Sequence, residues 1–180
     1  MILRIDDMIT ISGHHRVELD RSLGFPWGRL IGPSGATVAS LGRLSALNIF
    51  LGRGQRIELP DGSRWRTKAT AWQRFVCPLV VDSKGMALAI STPGPGYAIT
   101  MRDRAFELAP AEARPGRARR WELLRDREPI GLIHRNPYYA ELEVDVPLAA
   151  VLLALALSVV GVMGEKDIAP SIRGWGPSPR

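Results

Sequence analysis

The residue types that perform catalysis or bind metals are scattered along this chain. Its three histidines are His14, His15 and His134, and its only cysteine is Cys77. Adjacent residues on a strand point to opposite faces, so His14 and His15 are poorly placed to share one metal ion. Cys77 lies in an apolar run, where a thiol is expected to be buried and inert. These residues therefore predict neither a metal centre nor an activated nucleophile.

Three short segments resemble functional motifs but lack the necessary spacing. The Gly-Pro-Ser-Gly segment at 32–35 does not have the Gly-x-Ser-x-Gly spacing of a nucleophile elbow. Gly-Arg-Gly at 52–54 is not followed by the Gly-Lys-Ser/Thr of a phosphate-binding loop. Asp6 and Asp7 form an acidic pair without a third partner in the sequence. We therefore predict a protein that is not an enzyme and uses no cofactor.

Positive charge is the most prominent chemical feature of the chain. It has 24 basic and 18 acidic residues, a formal net charge of +6 at pH 7, and 21 of the 24 basic residues are Arg. The planar guanidinium suits phosphate recognition. Codon bias in a GC-rich genome also enriches Arg, and the scarcity of Asn favours that interpretation. The charge alone therefore predicts contact with anionic surfaces, either lipid headgroups or nucleic acid, without choosing between them.

Two local groups of basic residues are candidate anion-binding or lipid-binding sites. The first group shares one face of a predicted strand and comprises Arg64, Arg66 and Lys68. The second group surrounds a predicted loop at 109–119 and comprises Arg114, Arg117, Arg119 and Arg120. Nucleic-acid binding would need exposed aromatics interleaved with the basic groups, whereas Trp65 and Trp121 are expected to point inward. A solvated strand face without any ligand is the plainer alternative.

Strand patterns fill the chain from the N-terminus to about residue 146, with Gly and Pro at short intervals. The clearest hairpin spans 55–70 around a turn at 60–63, and a second spans 75–91 around a turn at 82–85. The other predicted strands are 9–11, 28–32, 37–41, 97–101, 105–108, 120–125, 130–134 and 138–146. Many short strands at regular spacing are typical of a β-sandwich or a β-barrel.

Residues 146–164 form an uncharged run rich in Ala and Leu, which predicts a helix that is apolar all round. Pro147 is at the entry, where its missing amide costs no hydrogen bond. Nineteen residues rise about 28 Å, which is near the shortest length that spans a bilayer. An amphipathic strand leads into the run without a linker and both flanks carry acids, which favours a helix buried in the protein. A C-terminal membrane span is the alternative.

The chain is predicted to form one domain over 1–167, with a core helix at 147–164 and a flexible tail at 168–180. Acidic residues follow the first few N-terminal residues, where a secretory signal would place its apolar stretch. The single cysteine allows no intramolecular disulfide. These features predict a monomer in the cytoplasm that associates with membranes through its surface.

Residues 141–157 form an acidic strand followed by a Pro-initiated apolar helix, and Gly131-Leu-Ile-His-Arg precedes them. On these residues, and by strand pattern over residues 25–165, the chain resembles the tubby-like superfamily, which includes tubby C-terminal domains, phospholipid scramblases and LURP-one-related proteins. The resemblance implies a mainly β fold, a closed antiparallel β-barrel of about twelve strands around one hydrophobic C-terminal helix. It also implies binding of phospholipid headgroups, for which Arg64, Arg66 and Lys68 are candidates. The calcium-binding acidic segment and Cys-rich stretch of scramblases have no counterpart here.

Overall fold

The computed structural model describes residues 9–20, 27–42, 55–72, 75–93, 96–111, 119–135 and 137–160. Several sequence predictions lie outside these residues. They concern Asp6 and Asp7, the segment 52–54, Arg114 and Arg117, the end of the predicted helix at 161–164, and the tail at 168–180.

Twelve antiparallel strands close into a barrel, as the resemblance implied, and the choice between sandwich and barrel that the strand spacing left open is decided for the barrel. In chain order they are β1 (Thr10–Asp20), β2 (Trp27–Ile31), β3 (Thr37–Leu41), β4 (Gln55–Glu58), β5 (Arg64–Trp72), β6 (Phe75–Val81), β7 (Ala87–Pro93), β8 (Tyr97–Thr100), β9 (Ala105–Pro110), β10 (Arg120–Arg125), β11 (Glu128–His134) and β12 (Tyr139–Pro147). Each strand pairs with its neighbours in sequence, and β1 pairs with β12 to complete the ring.

Three hairpins of the barrel use the same turn. The turns after β2, β4 and β6 place a Gly at the fourth position with φ of +83°, namely Gly35, Gly62 and Gly85. The amide of each Gly donates to the carbonyl three residues earlier, as in the bond from Gly62 N to Leu59 O at 2.9 Å. A residue with a Cβ rarely adopts this backbone, so the glycines fix where these strands reverse.

One helix, α1 (Leu148–Val160), follows β12 directly and fills the barrel. The amide of Leu148 donates to the carbonyl of Ile9 at 2.8 Å, which fixes the start of the helix beside β1. All side chains from Leu148 to Ser158 are at most 6% exposed. The helix contacts β6, β7, β8, β11 and β12, so it is enclosed by strands. This confirms the interpretation of the apolar run as a core helix.

The barrel requires such a helix because of its size. Eight strands give an interior that side chains alone can fill, and twelve strands enclose more. Small helix residues let the surrounding strands approach, and Ala149, Ala150, Ala154 and Ala156 are at most 2% exposed. The strands supply the opposing layer, in which Leu30, Ile57, Val80, Ile99, Leu108, Leu123 and Ile133 are almost fully buried.

The structure differs from the sequence prediction in the extent of the first strand. Strand β1 runs from Thr10 to Asp20, well beyond the predicted 9–11. Gly13 has φ of +86° and the register with β12 shifts between Ile11 and Gly13, so the bulge interrupts the alternation that pattern reading needs. The described part of the helix has 13 residues up to Val160, and the predicted end at residue 164 lies outside the described residues. Among the described residues, no helix combines the length and hydropathy needed to cross a membrane.

Pro78 illustrates how the barrel accommodates a proline within a strand. It is paired with Ala69 of β5, while the pairing of β6 with β7 begins only at Leu79. The carbonyl of Pro78 accepts a hydrogen bond of 2.6 Å from the hydroxyl of Ser91, which is buried. A side-chain hydroxyl therefore satisfies a carbonyl that the ladder leaves unpaired.

Candidate functional site

The outer faces of β4, β5 and the β6–β7 turn form a groove of about 400 Å³. All three residues of the first predicted basic group, Arg64, Arg66 and Lys68, line it from β5. They alternate with Trp65 and Thr67, which face the interior, so strand geometry places the three cations on one exposed face. We call this surface the basic groove and define it by Arg56, Arg64, Arg66 and Lys68.

Arg56 is the member of the basic groove that the sequence analysis missed. It is the Cα partner of Arg66 across the β4–β5 ladder, and both residues are exposed. Like charges directly opposite each other on a sheet destabilise the pairing. No ion pair joins Arg56, Arg66 or Lys68 to a carboxylate within the described part of the chain. The turn at 60–63 sets this register, so the pairing was available from the hairpin alone.

The two carboxylates beside the groove already have partners. Glu58 Oε1 lies 3.5 Å from Arg64 Nε, and Glu58 and Arg64 are also partners in the ladder. Asp82 Oδ1 accepts the amides of Lys84 and Met86, each at 2.8 Å, and so holds the β6–β7 turn. Four cations and two engaged carboxylates therefore leave an excess of positive charge. Arg guanidinium groups in such a setting bind phosphate or carboxylate oxygens, often in a bidentate manner.

The second predicted basic group does not join the first. Arg119 and Arg120 are exposed at the start of β10, whereas the basic groove is on β4 and β5. Four strands separate β4–β5 from β10–β11 in either direction around the barrel, so the two groups are on opposite sides. The five candidates that the structure describes therefore form two surfaces and not one, because the closed ring turns their strands away from each other.

Around Arg120 the structure assembles a cluster that the sequence did not reveal. Arg120 pairs with His134, and His134 pairs with Tyr139, along one row across β10, β11 and β12. The ring centroids of His134 and Tyr139 are 4.0 Å apart with an interplanar angle of 14°. His14 approaches Tyr139 from β1 at 5.1 Å, and its Nδ1 lies 3.5 Å from Glu141 Oε1. We call these five residues the imidazole cluster.

Burial and neighbouring charges act in opposite directions on the pKa values of the imidazole cluster. Partial burial lowers the pKa of His134, the Glu141 carboxylate acts in the other direction, and Arg120 and His14 lower the pKa further. Partial burial and Glu141 raise the pKa of Tyr139, against a smaller opposite effect of Arg120. Arg120 itself has no ion-pair partner among the residues that the structure describes. Arg120 and Glu141 therefore supply the fixed charges of the cluster, and protonation of His134 adds one positive charge beside Arg120.

The described residues hold no group of three His, Cys, Asp or Glu side chains suited to a metal ion. The ring of Tyr139 lies between His14 and His134, so the two imidazoles do not converge on one point. His15 points into the barrel, as the alternation with His14 predicted, and is 3% exposed. Burial lowers the pKa of His15, in spite of its hydrogen bond to the carbonyl of Gly13. A buried, neutral imidazole of this kind supports the fold.

Two polar side-chain atoms inside the barrel have no hydrogen-bond partner among the described residues, Thr67 Oγ1 and Trp121 Nε1. Their strands are on nearly opposite walls with α1 between them, so they do not converge on one ligand. A further concavity of about 550 Å³ lies on the outside near β8 and β9. Its charged lining is mixed, with Glu107 and Asp126 beside Arg127, so it has no excess of positive charge like that of the basic groove. The basic groove is therefore the best-supported candidate site.

Comparison of the chain with protein-family models, with curated proteins and with solved structures finds no match. The assignment of a function therefore depends on the geometry and charge described above.

Proposed function

We propose that this protein is a non-enzymatic, tubby-like β-barrel whose basic groove binds an anionic partner, the phospholipid headgroups of a membrane surface. The observation that carries the proposal is the facing pair Arg56 and Arg66, which is exposed and has no carboxylate partner among the described residues. Lys68 extends the pair along the same groove. An anion placed between these cations would relieve their repulsion and accept several charge-assisted hydrogen bonds.

The architecture supports the proposed family. A closed ring of twelve strands around an apolar C-terminal helix is the arrangement that the resemblance to the tubby-like superfamily implies. The acidic strand β12 and the Pro-initiated helix that carry the resemblance are consecutive elements of the barrel. Because a fold does not determine a function, headgroup binding is argued from the groove and the family only adds to it.

Lipid is favoured over nucleic acid by the position of the aromatic side chains near the basic residues. Trp121 is 2% exposed, and Trp65, which lines the groove, is partly buried because it packs against the core, so the groove offers at most one partial stacking face. Proteins that bind single strands combine a basic groove with exposed stacking platforms. The basic groove has the charge but no row of exposed aromatic side chains, since Trp65 is its single Trp, Tyr or Phe among the described lining residues. Lipid phosphate groups need only the positive charge for binding and do not need aromatic stacking.

The test is cosedimentation of the full chain with vesicles of phosphatidylcholine alone or containing phosphatidylserine or a phosphatidylinositol monophosphate. We expect binding only to the anionic vesicles, weakening by tenfold or more between about 0.05 M and about 0.3 M salt. The variant Arg64→Ala/Arg66→Ala/Lys68→Ala should lose this binding while keeping its circular dichroism spectrum. Binding that ignores salt, or that survives the triple substitution, would exclude the basic groove. Tighter salt-dependent binding to a single-stranded oligonucleotide would favour the nucleic-acid alternative.

A further inference from the structure

We propose that Arg120 and His134 form a second anion site, which binds a phosphate monoester group when the imidazole is protonated. The site is on β10 and β11, on the opposite side of the barrel from the basic groove. It is therefore independent of the proposed groove function, and one flat surface cannot occupy both sites at once.

The geometry that carries the proposal is a cross-strand pair of cationic groups. Arg120 and His134 are Cα partners, and Arg120 is exposed with no ion pair within the described residues. The His134 ring is held flat against Tyr139 at 4.0 Å, which leaves the edge of the imidazole to act as donor. A guanidinium and an imidazolium side by side supply several N–H donors to one phosphate. Stacking on Tyr139 holds the His134 donor in place before any anion binds.

The groups that face His134 come from three neighbouring strands. From β10 these are Arg120 and, one step along the same face, Glu122. From β12 they are Tyr139 and Glu141, and on β1 beyond them lie His14, the Cα partner of Glu141, and Arg16, the Cα partner of Tyr139, which is paired with Glu18 at 2.8 Å. Glu141 is engaged with His14 at 3.5 Å, so it does not neutralise Arg120 directly. The carboxylates are thus displaced toward one end of the cluster, and the Arg120 end carries the positive charge.

Protonation couples to binding through Arg120. The positive charge of Arg120 and the burial of the ring both disfavour the imidazolium form of His134. An anion bound between Arg120 and His134 would cancel that repulsion and raise the pKa of His134. By linkage an anion of unchanged charge must then bind more tightly at lower pH, where the imidazolium form is more populated. A phosphate monoester itself takes up a proton near pH 6, which opposes this gain, so the pH dependence is measured with sulfate, whose charge is constant over this range. We expect the affinity for sulfate at about pH 5.5 to exceed that at about pH 8 by about fivefold, the effect of one exposed charge pair.

The experiment is a nuclear magnetic resonance titration of the histidine side chains in the full chain, with inorganic phosphate and sulfate as the probes. At about pH 5.5 each should shift the His134 resonances more than chloride at equal ionic strength, and at about pH 8 sulfate, whose charge is unchanged, should shift them much less. Arg120→Gln should abolish the excess shift, and the matched control Arg102→Gln, an exposed arginine in the β8–β9 turn, should not. A response of His134 to phosphate that equals its response to chloride overturns the site.

A second measurement, of binding to vesicles, distinguishes a lipid phosphate from a soluble one. The probe is phosphatidylcholine containing a phosphatidylinositol monophosphate, added to the variant Arg56→Gln/Arg66→Gln so that the basic groove does not contribute. Binding at about pH 5.5 that requires Arg120 assigns the site to a lipid headgroup, whereas a response to inorganic phosphate alone assigns it to a soluble phosphate. If neither probe gives a response that depends on Arg120, the proposal is wrong, whatever the outcome at the groove.

Discussion

Arg56 and Arg66 are directly opposite each other on β4 and β5, with both side chains on the outer surface of the barrel. The nearest carboxylate on these strands, Glu58, is instead paired with Arg64 at 3.5 Å. Opposed like charges cost an antiparallel pair up to about 1 kcal/mol. The fold therefore contains an electrostatic penalty that a bound anion would remove.

This penalty predicts that one substitution changes stability and binding in opposite directions. Arg66→Glu places a carboxylate opposite Arg56 and should raise the free energy of unfolding by about 0.5 kcal/mol, measured in urea. The same substitution should abolish sedimentation with phosphatidylserine vesicles. The matched control is Arg64→Glu, which faces Glu58 and should lower the free energy of unfolding. Equal effects of the two substitutions on stability would contradict the charge arrangement described for the groove.

The helix core makes a second prediction. Leu153 is fully buried in α1, and Leu153→Ala removes apolar contacts and leaves a cavity between helix and strands. We expect the free energy of unfolding to fall by about 3 kcal/mol. Ile90 is 43% exposed on β7, and Ile90→Ala should cost less than about 1 kcal/mol. Urea denaturation of both variants gives the comparison, and a mild effect at Leu153 would mean that the helix is not packed inside the barrel.

The β10–β11 turn predicts a stabilising substitution. Asp126 and Arg127 have φ of 55° and 68°, a backbone that residues other than Gly adopt at a cost. Arg127→Gly creates Asp-Gly, a preferred pair for this hairpin turn, and should raise the melting temperature by a few degrees. Arg125→Gly, two residues earlier within strand β10, should lower it. A lower melting temperature for Arg127→Gly would show that contacts of the Arg127 side chain stabilise the fold by more than its positive φ destabilises it.

The buried histidine predicts how stability depends on pH. Burial holds the pKa of His15 below its ordinary value of 6.5. Above that value both the folded and unfolded states are neutral at this residue, so its full contribution is present there. As the pH falls through 6.5 the unfolded state binds the proton first, and stability decreases until the folded state is protonated as well. The lowered pKa of His134 acts in the same direction.

The measurement is urea denaturation of the wild type and of His15→Leu between about pH 7.5 and about pH 5. His15→Leu should reduce the loss of stability on acidification, and the contribution of His134 to that loss should remain. His134→Gln is the control, and it should remove the contribution of His134 while leaving that of His15. If acidification destabilises His15→Leu as much as the wild type, the imidazole of His15 does not carry the pH dependence.

Local signals in the sequence were enough for most of the fold. Alternation and turn residues placed the hairpin around Gly62 and the strand that ends at Pro147, and the uncharged run gave the helix. The extent of β1 was wrong because Gly13 and its bulge break the alternation. Closure of the ring depends on the pairing of β1 with β12, which joins the two ends of the chain and leaves no local pattern.

The candidate site was likewise predictable where it depends on local strand alternation, and not where it depends on long-range pairing. Arg64, Arg66 and Lys68 share a strand face, so period-two alternation found them, and the turn register could have added Arg56. The separation of Arg120 from these residues follows from the closed ring and could not be read from the sequence. The contact of His14 with Tyr139 likewise needs the β1–β12 seam. Long-range pairing therefore accounts for what sequence reasoning missed.

The central claim is that unpaired cations in the basic groove hold the protein on an anionic membrane. The most direct measurement is the partition coefficient of the full chain onto phosphatidylserine-containing vesicles, compared between Arg66→Gln and Arg102→Gln at the same low salt. Both substitutions remove one exposed positive charge, but only Arg66 lines the groove. We predict that Arg66→Gln lowers the coefficient at least fivefold and reduces its salt dependence, while Arg102→Gln leaves both nearly unchanged. Equal losses in the two variants would show that binding reflects net charge alone and would contradict the proposed site.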